Sequence, residues 1–297
     1  MVMNSSPTPG ERLRRAWEGD VLAVPGVFCP LVAKMAERMG FPAVYLSGGG
    51  LSASLGLPDI GLITLTEVVQ QAQAISQATS LPLICDADTG FGSSVNVERT
   101  VRQLEAAGVA GLHLEDQELP KRCGHLSGKT LISAEEMAAK IQAAVAARRD
   151  PSLVIIARTD ARGVSGLEEA IRRARLYKQA GADVIFPEAL ESAEEFAVFA
   201  REVGGPLLAN MTEFGRSPLL ERSRLAQWGY RLVLYPLTAL RLALRAAEAA
   251  LRHLLTADHQ RELLPQMYTR AELYDLLDYK GYEERDRRYF GLGPGRE

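Results

Sequence analysis

Two aspartates at alternate positions, Asp86 and Asp88, end an apolar segment that begins at Leu83. On a β-strand this spacing places both carboxylates on one face. Two carboxylates this close repel each other unless a proton or a cation lies between them. Mg²⁺ suits such a pair because it binds a few protein oxygens and completes its octahedron with water and substrate. The spacing therefore indicates a divalent-metal site, although an aspartate that caps a helix beside a surface aspartate would give the same pattern.

The next apolar segment, residues 111–115, repeats this arrangement and ends in Glu115 and Asp116. The carboxyl ends of neighbouring parallel strands meet at one edge of a sheet, so we expect Glu115 to lie near Asp86 and Asp88. A third carboxylate strengthens the prediction that Asp86 and Asp88 are metal ligands. Mg²⁺ is the expected ion, and Mn²⁺ could replace it because both prefer oxygen ligands.

A cysteine with cationic neighbours follows in the segment Lys121, Arg122, Cys123, Gly124 and His125. Positive charges stabilise a thiolate and lower its pKa, which brings the thiol into the range where it exchanges a proton. Gly124 and a second glycine four positions later allow the segment to move. We therefore predict that a mobile loop delivers Cys123 as an acid or a base, with Lys121 and His125 beside it. An ordinary loop cysteine is the alternative.

Other polar residues also follow apolar segments. Arg158 would be costly at the end of a buried strand without a partner, which a carboxylate substrate or Glu188 could supply. The Ser47–Gly50 run lacks the lysine and spacing of a phosphate-binding loop, so a plain turn and an anion-binding turn are both open. Neutral hydrogen-bonding groups follow at Asn210, Met211 and Thr212. Arg241 and Arg270 are ambiguous alone, and His113 is expected to be a core histidine.

Eight short apolar segments are predicted to be strands: 21–24, 43–46, 81–85, 112–115, 153–158, 184–186, 206–210 and 232–235. Helical periodicity separates them throughout. Because parallel strands need crossover helices, this alternation is typical of a (β/α)8 TIM-type barrel, whose sites lie at the carboxyl ends of the strands. A doubly wound open sheet is the alternative fold, but it would not explain candidate site residues at so many successive strand ends.

The helices are predicted at 31–39, 66–78, 96–108, 133–149, 166–180, 237–255 and 269–281. Thr66 is the expected cap of the second of these, and Ser133 with Glu136 gives the pattern of a capping box. We predict a single barrel domain over residues 1–297, with a helical extension over about 237–297.

Composition excludes several classes of function. The chain has 297 residues, 47% of them hydrophobic, and a net charge of −3, which argues against a nucleic-acid partner or a basic membrane patch. Its three cysteines lack the spacing of a disulfide framework or a zinc site, which is typical of a reducing cytoplasm. No segment resembles a signal peptide or a membrane span. A small-molecule partner is therefore expected.

Five motifs resemble the isocitrate lyase and phosphoenolpyruvate mutase superfamily: residues 86–92, 115–116, 121–125, 157–160 and 186–188. The segment 121–125 is the most specific, because it is similar to the lyases, whereas mutases and oxaloacetate decarboxylases of the superfamily lack its cysteine. Residues 210–215 and 270–274 resemble the 2-methylisocitrate lyase branch more than the isocitrate lyase branch. The resemblance covers about 25–284.

The resemblance implies Mg²⁺ at Asp86 and Asp88 and a homotetramer whose C-terminal helices are exchanged between paired subunits. Tyr45 and Asp59 also match positions near the family's site. The implied substrate-binding residues are Ser47, Gly48, Gly49, Asp59, Cys123, Gly124, Arg158, Glu188, Asn210, Met211, Thr212, Arg241 and Arg270. The implied reaction cleaves a 2-hydroxy tricarboxylate, 2-methylisocitrate, to pyruvate and succinate in the methylcitrate cycle of propionate catabolism.

In that reaction Cys123 is expected to protonate the carbanion, beside Arg158 and a protonated Glu188. Tyr45 or a water near Glu115 is expected to take the hydroxyl proton. Isocitrate or 2,3-dimethylmalate are alternative substrates, and a non-catalytic metabolite-binding protein is the alternative of another class. A Schiff-base aldolase is disfavoured because all the lysines are expected in helices or loops: Lys34, Lys121, Lys129, Lys140, Lys178 and Lys280.

Overall fold

The computed structural model describes residues 6–126 and 128–291, and its centre is a ring of eight parallel strands. The strands are β1 (Leu22–Pro25), β2 (Val44–Leu46), β3 (Leu83–Asp86), β4 (Gly111–Glu115), β5 (Val154–Thr159), β6 (Val184–Pro187), β7 (Leu207–Asn210) and β8 (Tyr230–Tyr235). Successive strands pair from β2 to β8, and β8 pairs with β1. The Val27 N–H donates to the Tyr45 carbonyl at 2.8 Å and joins the two remaining edges. The predicted (β/α)8 barrel is confirmed.

Helices follow every strand. They are α1 (Pro9–Gly19), α2 (Pro30–Arg38), α3 (Gly48–Ser54), α4 (Leu65–Ala78), α5 (Ser94–Ala106), α6 (Ala134–Ala147), α7 (Arg162–Ser165), α8 (Leu167–Gln179), α9 (Ala193–Val203), α10 (Arg222–Gln227), α11 (Thr238–Thr256), a 3₁₀ helix (Arg261–Gln266), α12 (Arg270–Leu276) and α13 (Tyr279–Tyr289).

Two local predictions need correction, and the structure also defines the run after Ser47, for which the sequence left two alternatives open. Thr64, not Thr66, caps α4, because its hydroxyl accepts from the Glu67 N–H while the Glu67 carboxylate accepts from the Thr64 N–H. The glycine run after Ser47 is the first turn of α3, with Ser47 as its cap, rather than a plain turn. The helix predicted over 269–281 is divided into α12 and α13, because Asp278 has a left-handed backbone (φ 54°).

Strand alternation divides the core into two layers. Ile84, Ile156 and Phe186 belong to the cluster inside the barrel, whereas Cys85 and Met211 pack in the layer between strands and helices. Because side chains alternate along a strand, the positions two and four residues beyond an inward-facing residue also face inward. This register places the side chains that follow the strands over the open end of the barrel.

The C-terminal helices are largely exposed, although α12 contacts α2 of the barrel, where Arg38 pairs with Asp275. Five leucines of α11 are more than half exposed: Leu242, Leu244, Leu251, Leu254 and Leu255. Within the described residues, none of the helices combines the length and apolar character needed to cross a membrane. The ends of the predicted domain, residues 1–5 and 292–297, lie outside the described residues, and exchange of the C-terminal helices between subunits stays a prediction.

Candidate active site

The carboxyl ends of the strands surround a cavity of about 70 Å³. Most of the residues that the sequence singled out line it: Tyr45, Ser47, Gly49, Asp59, Asp86, Lys121, Cys123, Gly124, His125, Arg158, Glu188, Asn210 and Thr212. Phe186, which forms the floor of the barrel interior, and Pro236 and Leu237 after β8 complete the wall. This cavity is too small for a tricarboxylate, so the segment that covers it must move to admit one.

The carboxylates of Asp86 and Asp88 lie side by side under α3. The Gly48 N–H and the Asp88 N–H each donate to Asp86 at 3.0 Å. A Cβ on Gly48 would lie 2.9 Å from the nearer Asp86 oxygen, so only glycine allows this approach of the helix. Lys121 lies 2.8 Å from Asp88 and also pairs with Asp59.

The two aspartates hold their protons very differently. Burial acts to raise the pKa of Asp86, but His113 and Lys121 outweigh it and lower this pKa to about 2. Burial and the neighbouring Asp86 raise the pKa of Asp88 to about 6, although Lys121 opposes this shift. The pair therefore concentrates negative charge in a buried place, as a cation site does.

The donors present fit a magnesium ion that keeps most of its water. Two adjacent carboxylates suit Mg²⁺, which typically takes one or two from the protein. The buried Asp88 Oδ1 atom lies 2.8 Å from the Lys121 ammonium, so a positive charge already occupies a position beside this carboxylate. Within residues 6–126 and 128–291, no group of three or more His, Cys, Asp or Glu side chains is arranged to hold a metal. That Glu115 joins Asp86 and Asp88 at the site stays a prediction.

Tyr45 and His113 connect the metal-site candidate to the barrel interior. The Tyr45 hydroxyl lies 2.9 Å from His113 Nε2 and 3.4 Å from Asp86 Oδ2. His113 is fully buried, as expected for a core histidine, and burial lowers its pKa. The pKa of Tyr45 is raised well above its ordinary value by burial and by Asp86, so its hydroxyl keeps its proton.

Arg158 is surrounded by carboxylates. Asp160 accepts from Arg158 Nε and Nη2 at 2.9 and 3.1 Å, and Glu115 and Glu188 lie 3.2 and 3.4 Å away. Glu188, which the sequence offered as the structural partner of Arg158, is therefore beside it. Asp160 lies closer to the guanidinium and accepts two hydrogen bonds from it. Sequence analysis gave Asp160 no role of its own. Its position two residues after Arg158, and thus on the same face, was the available signal.

The pKa values of the two glutamates near Arg158 are shifted in opposite directions. Burial opposes ionisation of Glu188, but Arg158 and His125 outweigh it and hold its pKa below the ordinary value. Burial raises the pKa of Glu115 well above its ordinary value, and neither of its oxygens accepts a hydrogen bond from the described part of the chain. These pKa directions run against a protonated Glu188 and favour Glu115 as the acid that keeps its proton.

The described residues 121–126 and 128–129, which we call the cysteine loop, lie against the cavity, and four of them line it: Lys121, Cys123, Gly124 and His125. Gln117 anchors the start of the loop, accepting from the Arg122 N–H and donating to the Arg122 carbonyl, both at 2.9 Å. His125 Nδ1 accepts from the Arg216 N–H at 3.0 Å, so its proton is on Nε2, 3.1 Å from Glu188. Cys123 and Gly124 are thereby held against the cavity.

The pKa of Cys123 shifts in the direction opposite to that expected from its cationic neighbours. Burial raises this pKa, while the His125 N–H and Arg158 only partly offset the effect. Lys121 points instead to Asp59 and Asp88, which explains why its charge does not act on the thiol. Cys123 is therefore a protonated thiol, which suits an acid.

Six of the predicted residues do not line the cavity. Asp88, Gly48 and Glu115 lie behind its wall. Met211 faces the helices, because it alternates with Asn210 and Thr212, and its sulfur accepts from the Leu220 N–H at 3.2 Å.

The remaining two are arginines of the extension. Arg241 donates to the Glu213 carbonyl at 2.6 Å and lines a separate groove of about 520 Å³ with Phe214. Arg270 is exposed at the start of α12. Their roles in substrate binding stay predictions.

Lys121 lies in a loop, as expected, and its side chain enters the cavity. Burial acts to lower its pKa, but Glu115, Asp88, Asp86 and Asp59 outweigh burial and raise it. A lysine that stays an ammonium is a poor Schiff-base nucleophile. The aldolase alternative therefore stays disfavoured, for a reason different from the one that the sequence offered.

Comparison with known proteins gives a consistent result. A family model described as phosphoenolpyruvate phosphomutase matches residues 13–255. A 2-methylisocitrate lyase of Aeropyrum pernix is 54% identical over 94% of this chain and 90% of its own. A solved 2,3-dimethylmalate lyase is 35% identical, with 98% and 100% coverage and a TM-score of 0.87. A phosphonopyruvate hydrolase in complex with oxalate and Mg²⁺ is 33% identical, with 96% and 100% coverage and the same TM-score of 0.87.

Proposed function

Because the chain belongs to the phosphoenolpyruvate phosphomutase family, within the isocitrate lyase superfamily, we propose that it is a carbon–carbon lyase that cleaves 2-methylisocitrate to pyruvate and succinate. The observation that carries this proposal is the position of Cys123. Its loop closes the same cavity that Asp86 and Arg158 line. The reaction needs an acid opposite a charged hydroxy-acid site, and this arrangement supplies one.

Asp86 and Asp88 would hold Mg²⁺ beside the pyruvate half of the substrate, and Mn²⁺ could take its place. When bound, the ion supplies Lewis acidity that favours loss of the substrate's hydroxyl proton. The candidates for the base that takes that proton are Tyr45 and a water near Glu115. Tyr45 lines the cavity, but burial and Asp86 raise its pKa, so its hydroxyl keeps its own proton.

Arg158, Asn210 and Thr212 would bind the succinate half. The Asn210 side-chain oxygen is buried without a hydrogen-bond partner among the described residues, and its Nδ2 donates to Glu188 at 3.2 Å. A fixed guanidinium and fixed amide dipoles stabilise negative charge without reorganising during the reaction. These residues therefore suit the carboxylates of a substrate and the charge that develops beside them.

Cys123 would complete the reaction as a general acid. As the carbon–carbon bond breaks, its electron pair passes to the carbon beside the succinate carboxylate, and the S–H proton is transferred to that carbon. The thiolate that remains then recovers a proton before the next turnover. Closure of the cysteine loop excludes water and keeps the carbanion from other proton donors.

The substrate is tested by comparing kcat/KM for 2-methylisocitrate, isocitrate and 2,3-dimethylmalate in the presence of Mg²⁺. A single methyl group changes binding by about 1–3 kcal/mol, so we expect a preference for 2-methylisocitrate over isocitrate of about 10- to 200-fold. Equal or better turnover of either alternative would contradict the assignment. Binding without pyruvate release from any of the three would instead indicate the non-catalytic metabolite-binding protein.

We further propose that the enzyme acts in the cytoplasm, in the methylcitrate cycle of propionate catabolism, as a homotetramer that exchanges its C-terminal helices. The three free cysteines support a reducing compartment. The exposed leucines of α11 support burial against another subunit, because monomers rarely expose so large an apolar surface.

A further inference from the structure

One buried lysine ties the two sides of the cysteine loop together. The Lys129 side chain is only 2% exposed, and its ammonium donates to the Gly124 carbonyl. The same ammonium lies 2.7 Å from Asp160 Oδ1. Burying an ammonium is costly unless charged and hydrogen-bonding partners compensate it, so these two contacts account for its position.

The carboxylate that receives Lys129 also holds Arg158. Asp160 accepts from Arg158 at 2.9 and 3.1 Å through its two oxygens. The Asp160 backbone is itself fixed, because its N–H donates to Asp116 at 2.8 Å. Tyr177 donates to that same Asp116 at 2.8 Å, and Arg173 lies 3.1 Å from it. Asp160 is thus a rigid anchor shared by the loop and by the arginine that we propose to bind substrate.

The loop carbonyl that Lys129 contacts is next to Cys123 and lies against the cavity. A Cβ on Gly124 would be 2.3 Å from Arg158 Nη2 and 2.4 Å from Glu188 Cγ. Gly124 therefore packs directly on these two side chains. Movement of the Gly124 carbonyl away from Lys129 would carry Cys123 with it.

We propose that Lys129 is a positioning residue that latches the cysteine loop closed and so places the Cys123 thiol over the cavity. The role of the latch in turnover rests on the proposed lyase function, whereas the latch itself does not. A purely structural alternative is that Lys129 only neutralises Asp160. The two differ in what they predict for the accessibility of Cys123.

The test substitutes Lys129→Met, which removes the ammonium and keeps most of the side-chain length. The first readout is the rate at which iodoacetamide alkylates Cys123, resolved by mass spectrometry, with Mg²⁺, pyruvate and succinate present. We expect this rate to rise at least about tenfold. The second readout is the kinetics with 2-methylisocitrate, where displacement of the thiol by about 1 Å would lower kcat about 100-fold with a smaller change in KM.

Lys178→Met is the matched control. Lys178 also donates to backbone carbonyls, those of Val203 and Gly204 at 2.9 and 2.8 Å, but it lies at the end of α8 away from the cavity. We expect both readouts to match the wild type. Should Lys129→Met fail to fold, Lys129→Gln retains an N–H donor without the charge and is expected to show the same accelerated alkylation.

Wild-type alkylation rates and an unchanged kcat in a folded Lys129 variant would overturn the latch. If the Lys129 variant is alkylated faster but the wild-type protein releases no pyruvate, the latch is supported and the lyase function is contradicted. The two proposals can therefore fail separately.

Discussion

Burial and local charge give the acids of the cavity different protonation states. Asp86 and Glu188 are ionised because cationic groups outweigh their burial, whereas Glu115 and Asp88 have raised pKa values. Sequence analysis found these residues but offered Glu188 rather than Glu115 as the protonated acid, because the cations that act on each acid come from other strands and loops. Which carboxylate keeps its proton is a property of the assembled site.

Asp86→Asn is expected to abolish tight Mg²⁺ binding. Loss of a residue that merely supports a metal ligand costs about 10- to 100-fold in affinity, so loss of a direct charged ligand should cost at least about 100-fold. Titration calorimetry with Mg²⁺ measures this change, and circular dichroism verifies the fold. Asp20→Asn, in an exposed residue after α1, is the control. Unchanged Mg²⁺ affinity would exclude Asp86 as a ligand.

The Cys123 thiol is expected to titrate at a higher pH than an exposed thiol, because burial raises its pKa. The thiolate is the form that reacts with iodoacetamide, so the rate of Cys123 alkylation should reach half its maximum at a higher pH than that of an exposed cysteine. As an acid, Cys123 acts in its protonated form, and activity that depends on it should fall as the pH rises through this pKa. If the alkylation rate instead reached half its maximum at a pH of about 8.5, the ordinary pKa of a cysteine, burial would not raise the pKa of Cys123.

At the scale of elements, strand alternation explains most of the site. Asp86, Arg158 and Glu188 each continue the inward-facing register of their strands, so their types and spacing sufficed to predict them. The same rule, applied to Met211, would have directed its side chain to the helices. Periodicity thus predicts the face of a residue well wherever a strand continues regularly into its loop.

The contacts of the cysteine loop were not predictable in this way. Lys129 reaches Asp160, which directly follows β5, and Gly124 is required because it packs against Arg158 and Glu188. Neither contact is local, and no periodic pattern records which side chains a loop meets when it closes.

The cap of α4 could have been predicted from the sequence. Glu67 lies three residues after Thr64, which is the spacing of a capping box, and this signal favoured Thr64 over Thr66.

Gly124→Ala is expected to hold the cysteine loop open. The added methyl group would meet Arg158 Nη2 at 2.3 Å, and overpacking of this kind costs about 1–3 kcal/mol. We expect a fall in kcat of about 10- to 100-fold, measured by pyruvate release, in a protein that melts near the wild-type temperature. Gly19→Ala is the control, because its Cβ would meet nothing within 4 Å. Normal turnover by Gly124→Ala would show that closure does not need this contact.

On the scale of the whole molecule, the barrel collects site residues from loops and strands that are far apart in the chain, from Tyr45 to Thr212. Sequence analysis predicted the eight strands and their closure because the βα alternation is regular. It could not predict how the C-terminal helices pack, since their apolar residues are exposed in one chain.

A homotetramer of 32.4 kDa chains has a mass of four times that value, about 130 kDa. We expect light scattering after size exclusion to give this mass for the wild type. Leu251→Glu combined with Leu255→Glu should reduce it to smaller species, because both leucines lie on the exposed face of α11. Val95→Glu, at another exposed apolar residue, should leave the mass unchanged. A monomeric wild-type protein would contradict the proposed assembly.

The most direct test of the account is pyruvate release from 2-methylisocitrate by Cys123→Ser compared with the wild type. Loss of a general acid lowers turnover by about 10²- to 10⁴-fold, and we predict a fall of this size with unchanged Mg²⁺ affinity and fold. Cys29→Ser, in a cysteine that does not line the cavity, should retain full activity. Near-normal pyruvate release by Cys123→Ser would contradict the central claim that this thiol protonates the carbanion.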